Sequence, residues 1–352
     1  MTVGPEAFDY WLPDELIAQH PAARRGDARM LTVDGTGELR HARARELQSW
    51  IERDTLVVVN DSKVVPARII AHRDDGKRFE LLVCEPRIGL VKGSRVAAWL
   101  RPGKRGRAGD LLRVTDVCSN TQVLLVRLAQ RDTTDPRAWW MDILEGDVMA
   151  ALERCGAVAL PPYIARAANL LDTERYQTVY ATDPGSIAAP TAGLHLEPEL
   201  LRQLDCVSIT LHVGPGTFLP MNVADVRDHK IRSERVVLTR DAAHRIEGAR
   251  AQGRRILAVG TTVVRALETV AALHAGDIAA GCYDADLVIG PDHEFHVVDD
   301  LLTNFHLPRS SLLMLVCSFG GRERILRAYE QAVRERYRFF SYGDCMLVRK
   351  PM

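Results

Sequence analysis

GSIAAPTAGLHLEPELLRQLDCVSITLHVGPGTF, residues 185–218, sets a helical pattern between two runs that each carry one histidine. The first run holds Ser186, Thr191 and His195 among small residues that leave the backbone bare for a ligand. The second is a β-branched strand that delivers His212 into a glycine turn, with Thr217 at its exit. Neither run is good core material, so both are expected at a site.

Toward the C-terminus, DAAHRIEGARAQG reads as a helix capped by Asp241 and stopped by Gly253. RRILAVG is then a strand whose end, Gly260-Thr261-Thr262, opens a helix with Leu267, Val270 and Ala271 on one face. Two hydroxyls at a helix N-terminus make a ready carboxylate or anion site, because free N–H groups and the helix dipole point there. Plain N-capping accounts for at least one of them. Arg265 and Glu268, one turn in, are expected either to reach the same cavity or to pair on the surface. TNFHLPRSSLLMLVCSFGG gathers Thr303, Asn304, His306, Arg309, Ser310 and Ser311 ahead of an apolar helix, and RERILRAYEQAVRERYRFF is amphipathic with its arginines outward. This alternation of strand, turn and helix makes the outer part of the chain α/β.

Toward the N-terminus, a short helix is expected from Pro13 through Ala18, a strand at MLTVD, and a helix from about Ala42 to Arg53. LVVVN follows as a buried strand ending in the polar turn Asn60 to Lys63, with Arg68 closing VVPAR. A strand opening into Asn60, Asp61, Ser62 and Lys63 suits a site at a sheet edge, or a plain turn.

Between residues 70 and 135 the texture changes. RFELLVC, SRVAAWL, LLRVTDV and TQVLLVRL are short strand-like runs split by turn residues, the pattern of a small β-barrel or sandwich. The expected organisation is therefore an α/β body, residues 1–69 and 136–352, interrupted by an inserted β-barrel over 70–135. The segment 136–156 reads as helical, with Trp139 and Trp140 in the core. Within the insert, RPGKRGRAGD concentrates Arg101, Lys104, Arg105 and Arg107 on a glycine-rich tip, the best local match to RNA phosphates. The arginines Arg24, Arg25 and Arg29 form a second basic run.

Lys plus Arg equals Asp plus Glu at 46 each, so no global field draws this protein to nucleic acid or membrane, and an RNA partner must use a local patch. Seven scattered cysteines with no C-x-x-C argue against a thiolate metal site and fit a reducing compartment. No apolar run approaches the length of a membrane span and the N-terminus lacks a leader pattern, so a cytoplasmic protein is expected. No pair among His195, His212 and His306 has helical ligand spacing, so no metal is expected. Dinucleotide-binding, Walker and nucleophile-elbow motifs are absent. A hydrolase built on Ser186 or Ser310 lacks any supporting turn.

Eight blocks occur in one order along the chain: FDYWLPDELIA, VVNDSKVVPARI, LPPYIAR, YQTVYATDPGSIAAPTAGLHL, TLHVGPGTFLP, AVGTTVVRALE, DDLLTNFHLPRSSLLMLV and YRFFSYGDCML. In them the sequence resembles, from end to end, the S-adenosylmethionine:tRNA ribosyltransferase-isomerases of queuosine biosynthesis. The resemblance implies an α/β, barrel-like body interrupted by a β-barrel. It also implies a reaction in which S-adenosylmethionine gives its ribosyl group to 7-aminomethyl-7-deazaguanine at the tRNA wobble position, yielding epoxyqueuosine, adenine and methionine. S-adenosylmethionine is then a consumed substrate, no further cofactor is needed, and a monomer without membrane contact is expected.

Carried onto these residues, the reaction calls for acids and bases from His195, His212 and His306, one of them oriented by Asp61 or Glu234. Thr261, Thr262 and Arg265 are expected to hold the methionine carboxylate. Asn304 and Arg309 would hold ribose hydroxyls or tRNA phosphate, with Asn60, Lys63, Arg68, Ser186, Thr191 and Thr217 completing the substrate contacts. Two departures stand out. DHKIRSE has Ile231 and Arg232 where the family usually has methionine and histidine, and VIGPD has Gly290 and Asp292 where it usually has tyrosine and glycine. His229 and Glu234 remain. The alternatives are a paralogous transferase with a different acceptor and a non-catalytic RNA-binding module.

Overall fold

A computed structural model describes residues 2–133, 135–218 and 221–351, the side chains of Thr217 and Phe218 excepted. The α/β body and the inserted closed barrel are both present. Four strands at the middle of the body, Asp205–Leu211, Leu56–Asn60, Ile256–Val259 and Asp300–Asn304, lie side by side and mutually parallel. LVVVN and ILAV are apolar without a polar phase, and every residue in them is buried, as strands covered on both faces require. Alternation divides them between two cores. Leu56 and Val58 pack with the helices Arg240–Ala251, Thr261–Leu273, Ser311–Gly320 and Arg322–Arg334, whereas Val57 and Val59 pack against Leu47, Leu196 and Leu200 on the opposite face.

Five further strands complete a nine-stranded mixed sheet. Glu234–Leu238 and Gly281–Ala285 extend it antiparallel on one side; Cys345–Arg349, Arg29–Val33 and Leu39–Arg43 extend it on the other. A separate parallel pair joins Ser62–Val64 to Asp183–Ser186, so the polar turn expected after Asn60 is in part a strand.

The barrel has its own apolar interior and six strands. Its first strand begins at Arg68 and its last, Ala138–Gly146, closes it against Thr121–Arg131, so its hydrogen bonding extends past both 70 and 135. The helix expected over 136–156 divides accordingly into that strand and the helix Val148–Cys155, whose first turn is capped by the Asp147 carboxylate. AWWMDILEG buries Trp139, Met141 and Ile143 at period two, which only a strand satisfies. Trp139 is therefore core, but Trp140 points the other way.

Three further elements differ from the sequence reading. The helix from Pro13 to Ala18 is a single tight turn, Asp14–Leu16, because the backbone around Ile17, from Leu16 O to Ala18 N–H, pairs with Phe339. The helix from Ala42 to Arg53 shrinks to a tight turn, Ala44–Glu46, running into one α turn, Leu47–Trp50, since Leu39–Arg43 is taken as a strand by Arg29–Val33. The helix Arg240–Ala251 is capped by Thr239, whose hydroxyl accepts from the Ala242 N–H, and not by Asp241.

Candidate active site

The four parallel strands end on one edge, and the chain leaving each supplies polar residues: Asp61 after Asn60, His212 after Leu211, Thr261 and Thr262 beyond Val259, His306 beyond Asn304. Ligands of open α/β sheets sit at such carboxyl edges. Two cavities flank this one, of about 580 and 360 Å3. Pro184, Gly185, His212, Gly214 and Gly216 line the larger, and Ala188 to Ala192 and Val213 the smaller, so these two segments run between the cavities as a shared wall. Ser186 staples that wall: its Oγ accepts from the Val213 N–H at 2.8 Å and donates to Ser62 Oγ at 2.9 Å, while Ile187 N–H donates to Val213 O at 3.0 Å.

The larger cavity lies at the seam between the modules. His212, Asp183 and Glu234 face it from the body, and Glu85, Asp132 and Trp140 from the barrel. The His212 ring lies against the backbone of Gly185, where a Cβ would stand 2.7 Å from Nδ1, so the glycine is required by the approach. That Nδ1 is buried and has no hydrogen-bond partner among the described residues. Nε2 is 4.0 Å from Asp183 Oδ2. Burial lowers the His212 pKa, and Asp183 opposes the shift only in part. His212 is thus a neutral imidazole near pH 7, able to accept a proton.

Glu234 and Asp61 act one step away from the histidine. Glu234 Oε1 accepts from the Gly214 N–H at 2.7 Å and Oε2 from Arg265 Nη1 at 2.5 Å, which fixes the glycine turn, not the imidazole. Asp61 accepts from Thr210 Oγ1 at 2.7 Å and Thr182 Oγ1 at 3.1 Å, and its carbonyl accepts the N–H groups of Thr182 and Asp183. It holds Asp183 in place and does not touch a histidine. Arg232 spans the seam: it donates to Glu85 at 2.9 Å and to Asp132 at 3.1 Å, with its guanidinium 5.6 Å from the Trp140 ring. Of the other departures, Asp292 pairs with Arg227 at 3.0 Å, and a Cβ at Gly290 would stand 4.0 Å from Met314 Sδ, in ordinary contact.

The smaller cavity is lined by Thr191, Thr261, Thr262, Asn304 and His306, with Tyr163 and Phe340 as aromatic walls. It lies at the start of the helix Thr261–Leu273. Thr262 Oγ1 and Asn304 Oδ1 are buried there with no hydrogen-bond partner among the described residues. Buried polar atoms of that kind call for a polar ligand or water. His306 Nε2 is 2.8 Å from Thr303 Oγ1, and burial pushes its pKa down to about 3. His195 lines neither cavity. It sits behind Asn304, whose Nδ2 donates to His195 Nε2 at 3.1 Å, and burial lowers its pKa to about 4. The three histidines therefore occupy three different surroundings.

Several expected contacts lie elsewhere. Asn60 is fully buried and clasps both backbone groups of Leu211, and Ser186 is spent on the Val213 N–H and the Ser62 hydroxyl. Arg265 is tied to Glu234 and to Ala285 O, away from the threonine cavity, and Glu268 accepts the N–H groups of His296, Val297 and Val298. Arg309 is exposed and paired with Asp9, and Lys63 is exposed outside both cavities. Arg68, Arg101 and Lys104 line a third cleft, on the barrel, while Arg105 and Arg107 stand on its exposed tip. The Thr217 side chain lies outside the described residues. Sequence reading missed Asp183, although it adjoins the Gly185 turn, and it missed Glu85, Asp132 and Trp140, which reach the site only through the barrel.

A family model described as queuosine biosynthesis protein matches residues 5–348. The chain is 44% identical over 352 residues to the S-adenosylmethionine:tRNA ribosyltransferase-isomerase of Anaeromyxobacter sp. (strain Fw109-5), covering 97% of this chain and 98% of that one. It is 43% identical over 349 residues to the protein of the same name from Trichlorobacter lovleyi, with the same coverage. Among solved structures it resembles the S-adenosylmethionine tRNA ribosyltransferase of Thermotoga maritima, at 31% identity and a TM-score of 0.52 over 97% of this chain and 99% of that one.

Proposed function

This chain belongs to the queuosine biosynthesis protein family, and we infer from that membership that it is an enzyme, an S-adenosylmethionine:tRNA ribosyltransferase-isomerase. It transfers and isomerises the ribosyl group onto 7-aminomethyl-7-deazaguanine at the tRNA wobble position, releasing adenine and methionine and leaving epoxyqueuosine. S-adenosylmethionine is a substrate, and neither a metal nor another cofactor takes part. The protein acts as a monomer in the cytoplasm. Among the described residues no helix is long and apolar enough to cross a membrane.

The observation that supports this reading best is the pair of cavities sharing one wall. The smaller offers the start of a 13-residue helix and the unpartnered Thr262 Oγ1 and Asn304 Oδ1, groups suited to the carboxylate and hydroxyls of S-adenosylmethionine. The larger, open at the seam, suits a nucleobase entering from RNA. His212 belongs to the shared wall. The sulfonium acidifies the adjacent 5′ hydrogens, so His212 takes a proton there and leaves an ylide. The aminomethyl nitrogen displaces adenine at the anomeric carbon, adenine leaving with the proton the amine gives up, and the ring oxygen then leaves that carbon as an alkoxide on C4′, giving an iminium. The ylide carbon adds to the iminium carbon and closes the cyclopentane, and the alkoxide displaces methionine from C5′ to close the epoxide. His306 remains neutral and donates or accepts a hydrogen bond in the smaller cavity. His195 acts through Asn304, as a positioning residue.

One observation favours the alternative of a different acceptor: Arg232 places a guanidinium in the wall of the larger cavity. A single experiment separates the readings. Purified protein, S-adenosylmethionine and a tRNA bearing the aminomethyl deazaguanine are expected to release adenine and methionine together, with the RNA gaining the mass of an epoxycyclopentanediol. Adenine release with another RNA product supports the alternative; no release with any such tRNA overturns the first reading.

A further inference from the structure

A cleft of about 460 Å3 runs along the outer wall of the barrel, apart from the two cavities of the sheet edge. Strand pairing builds its floor. Glu80 lies opposite Arg101, and Leu82 opposite Trp99, in neighbouring antiparallel strands, so all four side chains share one face. Arg131 and Arg137 approach from the last hairpin, and Leu160 and Pro162 of the body form the far wall.

Five cationic side chains, Arg68, Arg101, Lys104, Arg131 and Arg137, line this cleft against one carboxylate, Glu80. In a chain of zero formal net charge that is a concentrated local field. Two of the guanidinium groups rest on ring faces instead of acids: Arg131 lies 4.8 Å from the Trp139 centroid and Arg137 5.5 Å from that of Trp99. Arg131 is fixed further by donating to Gly103 O at 3.0 Å and Pro136 O at 3.1 Å. Charges held in place by carbonyls and rings remain available to an anion. The cleft also leads somewhere. Arg131 lines it, and the next residue, Asp132, lines the seam cavity with His212.

We propose that this cleft holds the sugar–phosphate backbone of the tRNA strand adjoining the wobble base, while that base occupies the seam cavity. The inference rests on the reading of tRNA as substrate. A polyanion with regularly spaced phosphates matches five cations along a groove, and a strand leaving the groove past Arg131 enters the cavity directly.

The test is a tRNA titration of the full-length protein at several salt concentrations, with S-adenosylmethionine binding measured in parallel. Arg101 and Lys104 are exposed, so Arg101→Glu with Lys104→Glu keeps the fold, which the S-adenosylmethionine affinity reports. The tRNA Kd is expected to rise at least about tenfold and the log–log salt slope to flatten by about 1 to 2, as loss of two phosphate contacts requires. Arg78→Glu with Lys92→Glu makes the same charge change at barrel residues that do not line the cleft, and is expected to leave affinity near that of the parent. Equal weakening by both pairs, or no change in the first, overturns the proposal. Tight tRNA binding without adenine release would sink the reaction and not the cleft; a parent protein that binds no tRNA would sink the cleft.

Discussion

Nε2 of His212 stands 4.0 Å from Oδ2 of Asp183 at the rim of the seam cavity, close enough to favour the imidazolium and too far for a hydrogen bond. Burial outweighs that attraction, so the His212 pKa lies below its ordinary 6.5. A base must be neutral to act. The profile of kcat/KM is therefore expected to plateau above pH 6.5 and to fall only below it, as His212 takes up a proton. Asp183→Asn removes the larger of the two carboxylate influences, Asp183 and Asp61, that raise this pKa, and the acid limb then moves to lower pH. His212→Asn abolishes adenine release across the range with an unchanged circular dichroism spectrum. A limb that stays in place or climbs in Asp183→Asn means that another group is the base.

Arg232 joins the body to two barrel carboxylates, of which Asp132 is 6% exposed. Histidine is shorter and cannot span both. Arg232→His is therefore expected to lower kcat/KM for tRNA by at least about tenfold, since truncating one partner of a partly buried ion pair is strongly unfavourable. S-adenosylmethionine affinity is expected to stay within about twofold, because the smaller cavity is not touched. A faster enzyme would show that the arginine impairs the reaction, and its seam contacts would then have no positive role.

Which parts of the site were legible in the sequence follows from where each residue stands. His212, Thr261, Thr262, Asn304 and His306 lie at a strand end or a helix start, positions that a local pattern marks. Asn60, Ser186, Arg265 and Glu268 carry equally polar side chains nearby but spend them inside the protein. A buried carboxylate collecting three N–H groups from residues 296–298 looks, in sequence, like a solvated helix residue. Four of the barrel's six strands were legible from their texture; the first, Arg68–Arg73, was not read as a strand, and the last was read as helix because two tryptophans fit either core. Contacts across the seam join residues about a hundred positions apart, and no local pattern carries them.

Thr262 Oγ1 gives a direct handle on the smaller cavity. Thr262→Val keeps the shape and removes the hydroxyl. If that hydroxyl donates to the bound carboxylate, S-adenosylmethionine affinity falls by about threefold to tenfold, the usual worth of one such bond. Thermal stability should not fall, because the hydroxyl has no partner among the described residues to lose. Calorimetric titration and a melting curve on the same sample decide it, and unchanged affinity would move the carboxylate elsewhere.

The two histidines outside the seam make a prediction about stability in acid. His195 and His306 are 4% and 9% exposed, and burial holds their pKa values near 4 and 3 against an ordinary 6.5. Below pH 6.5 the unfolded chain binds protons at both positions that the folded chain does not, so stability is lost as pH falls from 6.5 toward 4; above 6.5 neither contributes to the slope. Each histidine should contribute about 1.4 kcal/mol per pH unit well inside that window. His212 and His229, also lowered by burial, push in the same direction, whereas Asp172, held down to about 2 with the Arg166 pair helping, enters only below the ordinary carboxylate value of 3.8. The informative quantity is therefore a difference. His195→Gln keeps an acceptor for Asn304 Nδ2 and removes one titrating group, so its urea-unfolding free energy should fall less steeply between pH 6.5 and 4.5 by about 1.4 kcal/mol per unit. Parallel slopes for the variant and the parent would mean that His195 is protonated in the folded protein, and Asn304 would then have to present its oxygen, not its nitrogen, to that ring.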